Sequence, residues 1–236
     1  MRVTTNVKLI DRQSKYARYA TFAGLAILLG SLVSTLVTSN FPILVSYVML
    51  VVGFILAYIG AVLANKWVKE PRPDHALERA LKGFDNKNHL YNFVLPSPHV
   101  LLAPNGLIVF QVKSHDGMIT CQGDKWSRAW QWTRLFGGMG QEPLGNPSAE
   151  LHDQIAKMNT LVTDKLEGTP VIPIDGYVVF TDPRVQLTVE NPTVPVVRVD
   201  DLKEALRKAK KGPALPPKLF DRLAEVLDEQ AHAKTA

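Results

Sequence analysis

The stretch that decides the fold is HVLLAPNGLIVFQVKSHDG, residues 99–117. Two apolar runs flank the turn sequence PNG, which predicts two antiparallel strands joined by a short loop. The second run ends in Gln111 and Lys113, which are two residues apart and so share one face of the strand. Burying a charge or an amide without partners is costly. This strand must therefore end at a functional site, at water or at specific partners.

The loop between the two strands decides which residue faces the polar pair. Pro104 fixes φ near about −65°, which excludes the two-residue hairpin turns of types I′ and II′. We therefore expect a three-residue loop with Gly106 in the left-handed conformation. In that register His99 lies across from Gln111 on the same face, and a slip of one residue puts Pro98 there instead. In neither register is this neighbour a carboxylate.

Residues 19–65 contain no Asp, Glu, Lys, Arg or His. Two segments, 20–38 and 43–64, each reach the roughly 20 residues that a transmembrane helix needs. They predict a transmembrane helical hairpin, and a buried hairpin of a soluble protein is the disfavoured alternative because the remaining chain is too small to cover it. The spans carry no ionisable residue for an ion path, so we interpret them as an anchor. Small residues that permit close helix packing are Gly24, Gly30, Ser31, Ser34, Gly53 and Gly60.

Positive charge is concentrated beside these spans. Residues 1–73 carry eight Lys and Arg against two acids, whereas residues 74–236 carry nineteen against twenty. The positive-inside rule predicts a multi-pass membrane protein with both termini in the cytoplasm. The remaining chain lacks an overall basic character, so any nucleic-acid binding requires a local patch. The single cysteine, Cys121, excludes an internal disulfide and a cysteine-based zinc site.

The sequence divides into five segments. They are a cytoplasmic N-terminal segment (1–18), the helical hairpin (19–65), a linker (66–73), an α/β domain (74–200) and C-terminal helices (201–236). In the α/β domain we expect Asp74 to cap a first helix, followed by three strands, a helix and a strand. The terminal helix, 216–230, is polar enough to lie on the surface. This order predicts a mixed α/β sheet.

Four pieces of the sequence together resemble one known family. They are HVLLAPNGLIVFQVKSHDGMI, Trp126, NPSAELHDQ and GYVVFT, and the resemblance covers about 74–182. They resemble the nuclease-related domain (NERD) family of the PD-(D/E)xK, restriction-endonuclease-like superfamily. The resemblance implies a restriction-endonuclease-like mixed sheet and metal-dependent phosphodiester cleavage. In that chemistry an Asp and a Glu hold Mg²⁺, and a Lys two residues after the Glu assists the attacking water.

The resemblance can be carried over residue by residue. The family's Lys is Lys113, and its Glu falls on Gln111. Its Asp falls on Pro98, next to a retained His99, and the acid on its first helix corresponds to Asp74. Its Asn-Pro is Asn146 and Pro147, and Glu150 stands where a Gln is usual. A neutral amide and a proline would hold Mg²⁺ poorly. The candidate catalytic residues Gln111, Lys113, His99 and Asp74 therefore predict a degenerate site. We expect no metal and no cofactor, with Mg²⁺ or Mn²⁺ needed only if the site is active.

Each of these residues also has a purely structural interpretation. Gln111 and Lys113 could simply reach solvent at a strand end, and Asp74 could be only a helix cap. Three of the four tryptophans fall in residues 126–132 beside basic residues, a composition typical of both core packing and nucleic-acid platforms. The candidate nucleic-acid-binding residues are Lys125, Arg128, Trp130 and Arg134.

These observations favour a membrane-anchored cytoplasmic domain that binds nucleic acid or another protein without cleaving it. Its partners would then be the lipid bilayer and that ligand. One alternative is an active metal-dependent nuclease with an atypical Gln-x-Lys site, which leaves enzymatic activity open. A third is a structural membrane protein whose soluble domain forms oligomers, and the sequence leaves the oligomeric state open too.

Overall fold

The structure is a computed structural model of the chain, and it describes residues 1–37, 42–129, 141–166, 168, 170–209 and 212–235. The described residues within 1–7, 73–129 and 144–236 form one compact unit. Those within 8–72 and 130–143 form another. The first unit is a sheet domain, and the second contains a helical hairpin.

The helical hairpin consists of α1 (Val7–Val37) and α2 (Ile43–Trp67). Both helices are long and apolar enough to cross a membrane, with mean hydropathies of 2.0 and 2.4 over their most apolar windows. Only 11% of each window is buried, so these apolar surfaces are not covered by protein. The prediction of two apolar helices is confirmed. Helix α1 begins earlier than the predicted span, because the basic segment before it is also helical.

Small residues set how closely α1 and α2 approach. A Cβ atom added to Gly24 would lie 2.8 Å from the Cα of Ala57, and one added to Gly60 would lie 2.5 Å from the backbone nitrogen of Thr21. Such distances leave no room for a side chain. The Ser31 hydroxyl donates a hydrogen bond of 3.0 Å to the carbonyl of Ser46 on the facing helix. The two helices therefore pack backbone against backbone, as the small residues predicted.

The sheet domain is a mixed α/β structure, as predicted. Its strands are β1 (Arg2–Thr5), β2 (His89–Asn92), β3 (His99–Ala103), β4 (Gly106–Lys113), β5 (Gly117–Gln122), β6 (Lys125–Arg128), β7 (Ile174–Phe180), β8 (Val185–Glu190) and β9 (Val196–Arg198). Its helices are α3 (Pro73–Ala80), α4 (Pro147–Lys165), α5 (Val199–Lys208) and α6 (Pro217–Thr235). One sheet has the order β1-β2-β3-β4-β7-β9 and a smaller one the order β6-β5-β8. Strand β4 runs antiparallel to β3 and parallel to β7, so it lies inside the larger sheet.

Helices cover both faces of the larger sheet. On the first face, Val109 and Val178 pack with Leu151 of α4 and Leu223 of α6. On the second face, Leu101, Phe110 and Val179 pack with Leu77 of α3 and Leu202 of α5. Successive residues of β4 contribute to opposite faces because side chains alternate along a strand. The almost continuous apolar run of β4 is therefore the signature of a strand buried on both sides.

The first residues of the N-terminal segment and the terminal helix both belong to the sheet domain. Strand β1 pairs in parallel with β2, from Arg2 opposite His89 to Thr5 opposite Asn92. Helix α6 buries one stripe on the first face, formed by Leu219, Leu223, Leu227 and Ala231. That stripe has the four-residue spacing of an amphipathic helix, so its polar residues cover only the outer side.

The turn between β3 and β4 is shorter than expected. Ala103 pairs with Gly106, so only Pro104 and Asn105 lie in the turn. The expected three-residue loop is wrong, because Gly106 takes its positive φ of 142° within the strand ladder. Its backbone there lies against the carbonyl of Pro173, and the next residue, Leu107, donates a hydrogen bond of 2.9 Å to that carbonyl. The shorter turn corresponds to the second of the two predicted registers. Continued beyond the pair Val100 and Val109, this register aligns Pro98, and not His99, with Gln111.

His89 connects strand β1, strand β2 and helix α6. Its Nε2 lies 2.8 Å from the hydroxyl of Thr4, and its Nδ1 lies 3.5 Å from Oδ1 of Asp228. The hydroxyl of Tyr91 donates a hydrogen bond of 2.7 Å to the same carboxylate. Burial lowers the pKa of His89; Asp228 opposes this shift and Arg2 adds to it. The folded protein therefore favours the neutral imidazole more than the unfolded chain does.

Close packing of α1 and α2 predicts a selective effect of alanine in the hairpin. Gly24→Ala and Gly60→Ala should each destabilise the helix pair by about 1–3 kcal/mol, because the new methyl group meets backbone atoms. The measurement is unfolding of the full-length protein in mixed detergent micelles. Gly30→Ala is the matched control, since its Cβ would meet only a Met49 side-chain atom at 3.8 Å. Equal stability of all three variants would contradict the packing.

The lowered pKa of His89 predicts a stability change on acidification. Below about pH 6.5 His89 binds a proton in the unfolded chain but less readily in the folded protein. The free energy of unfolding therefore falls as the pH drops towards the pKa of His89 in the folded protein. Denaturant midpoints of the full-length protein at about pH 7.5 and about pH 5.5 measure this loss. His89→Gln should reduce the difference between the two midpoints, whereas His152→Gln, on the exposed side of α4, should preserve it. An unchanged difference in His89→Gln would refute the prediction.

Candidate functional site

Gln111 and Lys113 end strand β4 on the first face of the sheet, beneath α4. Both residues are buried, with exposures of 7% and 8%. They continue the face of Leu107 and Val109 because every second residue of the strand points the same way. Strand β7 is the parallel neighbour of β4 in the sheet, and its Phe180 pairs with Lys113. The interpretation of a strand end that simply reaches solvent is therefore wrong.

The carboxylate that meets this pair comes from the first turn of α4. The side chain of Asn146 caps the helix by accepting from the backbone N–H of Ala149 at 3.1 Å, and Pro147 is the first helical residue. This start fixes Glu150 above the end of β4. The Lys113 ammonium donates to both oxygens of Glu150 at 2.8 Å. A buried cation thus has a partner that neutralises it.

Two amides extend the contact along α4. The Gln111 side-chain nitrogen donates to Oε2 of Glu150, and the Gln154 nitrogen donates to the oxygen of Gln111. We call Gln111, Lys113, Glu150 and Gln154 the polar cluster. The side-chain oxygen of Gln154 is buried without a hydrogen-bond partner among the described residues. Apart from that oxygen, the cluster satisfies its polar groups internally and joins α4 to β4.

The chain passes close to this carboxylate just before α4. Gly145 has a φ of +65°, a conformation that favours glycine. A Cβ atom added there would lie 2.6 Å from Oε1 of Glu150 and 4.0 Å from Nζ of Lys113. The glycine therefore permits both the turn into the helix and the position of the carboxylate.

His99 does not join Gln111 and Lys113. It begins β3, pairs with Asn92, and its Nδ1 lies 2.9 Å from the Asn92 side-chain oxygen. Its neighbour Leu101, two residues on, belongs to the second face, so His99 lies on the face opposite Gln111. Of the two registers that the sequence left open, the structure excludes the one in which His99 faces Gln111, because the two-residue turn shifts the pairing by one residue and so reverses the face.

Asp74 also belongs to the second face. Helix α3 begins at Pro73 and packs on that face through Leu77, and Leu81, just after the helix, packs there too. Asp74 is buried in the first turn, with its Oδ2 3.8 Å from Nε2 of His75. It is not the residue before the helix, as a cap would be, because the proline itself takes the first helical position. The structure thus separates the four candidate catalytic residues into two pairs on opposite faces.

The candidate nucleic-acid-binding residues have different environments. Lys125 is exposed on β6. The Arg128 guanidinium forms an ion pair with Asp116 and donates to the Asp116 carbonyl at 3.0 Å, so it is engaged within the protein. Trp130 and Arg134 lie outside the described residues. The neighbouring Trp126 packs 6.0 Å from the Phe180 ring and donates to the Ser148 hydroxyl at 2.9 Å, which is a structural role.

The polar cluster does not suit Mg²⁺ as it is arranged. It offers one carboxylate, and both oxygens of that carboxylate accept hydrogen bonds from Lys113. The Gln111 oxygen accepts from Gln154. Mg²⁺ prefers carboxylate and water oxygens in a regular octahedron. Among the described residues, no three His, Cys, Asp or Glu side chains come together in a metal-binding group.

Sequence reasoning identified the position of Glu150 but not its contact with Lys113. It missed Gln154 altogether. A signal for both was available, because Glu150 and Gln154 are four residues apart after an Asn-Pro helix start and so share one helix face. What the sequence did not contain was the distance between that face and the end of β4.

Comparison with known proteins gives one match. The family model of the nuclease-related domain, NERD, matches residues 69–181. Searches of curated proteins and of solved structures each returned no match. The matched range begins just before α3 and ends just after β7, so it includes the strands and helices that form the polar cluster. The segment 69–181 therefore matches the model of the nuclease-related domain family, and two apolar helices precede it in the chain.

Proposed function

We propose that this chain is a membrane-anchored NERD-domain protein that binds a partner and does not cleave nucleic acid. The observation that carries the proposal is the contact between Lys113 and Glu150, in which one ammonium meets both oxygens of one carboxylate at 2.8 Å. In the chemistry that the family resemblance implies, the lysine acts on water beside a metal held by carboxylates. In this chain the lysine is already neutralised by the carboxylate itself.

The number of carboxylates supports the same proposal. The family's Glu position is Gln111, and its Asp position is Pro98, which offers no ligand. The acid on the first helix, Asp74, belongs to the opposite face of the sheet. A carboxylate that already neutralises an ammonium attracts a divalent cation only weakly, because the affinity of a site for such a cation rises with the number of its charged ligands. We therefore derive no catalytic step through a metal.

The proposed ligand is nucleic acid or another protein. The chain after residue 73 carries nineteen basic and twenty acidic residues, so it has no net positive charge to attract a polyanion from a distance. Binding to nucleic acid would depend on local groups such as Lys125. Arg128 is less suitable, because its guanidinium already pairs with Asp116.

The proposed location is a membrane, with both termini on the cytoplasmic side. Strand β1 precedes α1 and strand β2 follows α2, yet the two strands pair in one sheet. Chain segments that belong to one sheet must lie on one side of the bilayer, and two spans return the chain to the side where it began. Basic residues flank both spans, which favours the cytoplasmic side.

An active metal-dependent nuclease with an atypical Gln-x-Lys site is the second candidate. One observation favours it: a carboxylate does lie next to Lys113, although it comes from the helix and not from the strand. If Glu150 released the lysine, the pair would offer one acid and one base at the same place.

A structural protein whose sheet domain forms oligomers is the third candidate, and crosslinking in membranes that recovers only monomers would argue against it.

The first test is a cleavage assay. Full-length protein in detergent, incubated with DNA or RNA and with Mg²⁺ or Mn²⁺, should leave the nucleic acid intact, because the cluster lacks the carboxylates that hold the metal. Lys113→Ala should behave in the same way. Metal-dependent cleavage that Lys113→Ala abolishes and the exposed-lysine control Lys218→Ala preserves would overturn the proposal in favour of the second candidate.

The second test concerns topology. The single cysteine, Cys121, is fully buried, so an introduced cysteine can serve as the reporter. In intact cells a membrane-impermeant maleimide should label Asn40→Cys, in the connection between the spans, and should not label Lys125→Cys. Lysis should make Lys125→Cys reactive, which controls for its accessibility. Labelling of Lys125→Cys in intact cells would refute a cytoplasmic sheet domain.

A further inference from the structure

A cavity lies beside the turn that joins β3 to β4. Its volume is about 370 Å³, within the range of about 300–1,000 Å³ that ligand pockets in proteins occupy. Its floor is the second face of the larger sheet, where Leu101, Ile108 and Asp175 are neighbours on β3, β4 and β7. The last turn of α5 and the chain between α3 and β2 form its walls. All of these segments belong to the sheet domain.

The cavity is separate from the polar cluster. Ile108, near the start of β4, lines the cavity, whereas Gln111 and Lys113 end the strand. Ile108 and Gln111 also face opposite sides of the sheet, because side chains alternate along a strand. A ligand in the cavity would therefore leave the contact between Lys113 and Glu150 intact.

One polar group of the cavity has no partner within the part of the chain that the structure describes. Tyr177 lines the cavity and is only 8% exposed, and its hydroxyl forms no hydrogen bond with a described residue. Its ring is held by Phe110, with the ring centroids 6.5 Å apart. Burial raises the pKa of Tyr177, and the negative charge of Asp175 raises it further. The hydroxyl therefore stays protonated, and its hydrogen-bond partner has to enter through the cavity.

Charges of both signs line the cavity. Asp85 and Asp175 supply carboxylates and Arg207 supplies a guanidinium, and none of the three forms an ion pair with a described residue. The Lys203 ammonium lies beside the wall, where it donates to the carbonyl of Lys82. Two negative charges are thus balanced by two positive charges. The cavity accordingly favours a molecule that carries both signs over a molecule that carries only one.

We propose that this cavity binds a zwitterionic α-amino acid with a large apolar side chain. The ammonium group of the ligand donates to the Asp175 carboxylate and to the Tyr177 hydroxyl, whose oxygen has lone pairs to accept it. The carboxylate of the ligand pairs with the Arg207 guanidinium, whose planar fork matches two carboxylate oxygens. The apolar side chain packs on Leu101 and Ile108. This site goes beyond the proposed partner binding, because it takes a small molecule at the other end of β4.

Three related probes test the assignment. L-phenylalanine carries both charges, phenethylamine lacks the carboxylate, and hydrocinnamate lacks the ammonium group. Calorimetric titration of the full-length protein in detergent, with empty micelles as the blank, should show L-phenylalanine binding at least about tenfold more tightly than either analogue, since each analogue loses one charge-assisted contact. Equal or tighter binding of either analogue would overturn the proposal.

Single substitutions identify the group that holds each charge. Tyr177→Phe keeps the ring and removes only the hydroxyl, so it should weaken binding of L-phenylalanine by about threefold to tenfold. Asp175→Asn should reduce the affinity for L-phenylalanine to that for hydrocinnamate without weakening hydrocinnamate itself. Arg207→Gln should reduce it to the affinity for phenethylamine without weakening phenethylamine.

Two controls separate the cavity from general charge effects. Asp221→Asn and Arg222→Gln each remove one exposed charge from α6, and both should retain the wild-type affinity for L-phenylalanine. The inference fails if L-phenylalanine does not bind, or if all three cavity variants bind it as tightly as the wild type does. Because none of the probes contains a phosphodiester bond, this outcome is independent of the cleavage assay.

Discussion

The structure depends on one constraint: strand β4 carries a lysine into a region that water hardly reaches. An ammonium there requires an anion, and the first turn of α4 provides it. That requirement fixes α4 against the end of β4, and the capped Asn-Pro start fixes which helix residue meets the lysine. The buried pair acts mainly by specifying an arrangement, since the cost of removing two charges from water offsets much of their attraction.

The same contact changes how the nuclease-related domain is interpreted. In the segment that matches the family model, the end of β4 carries an amide, Gln111, and the facing helix carries the acid, Glu150. The acid is therefore aimed at the lysine from above. A carboxylate at the end of β4 thus neutralises the Lys113 ammonium.

The helical hairpin is subject to a different constraint. It interrupts the sheet domain, because β1 precedes it and the other strands follow it. Strand β1 and its partner β2 are therefore separated in the chain by both apolar helices. Glycines at 24 and 60 keep α1 and α2 at backbone contact, which holds the two ends of the hairpin together.

The sequence by itself determined the two apolar helices, the mixed α/β class and the burial of β4, because hydrophobic patterns and turn residues act over a few neighbouring positions. It also determined that Gln111 and Lys113 share one face. Only the tertiary structure decided that His99 lies on the opposite face, since a single pairing, Ala103 with Gly106, sets the register for the whole hairpin. Only the tertiary structure joined Glu150 to Lys113 and the first strand to the second. Those contacts link positions 37 and 87 residues apart in the chain, and no local pattern specifies which distant residues meet.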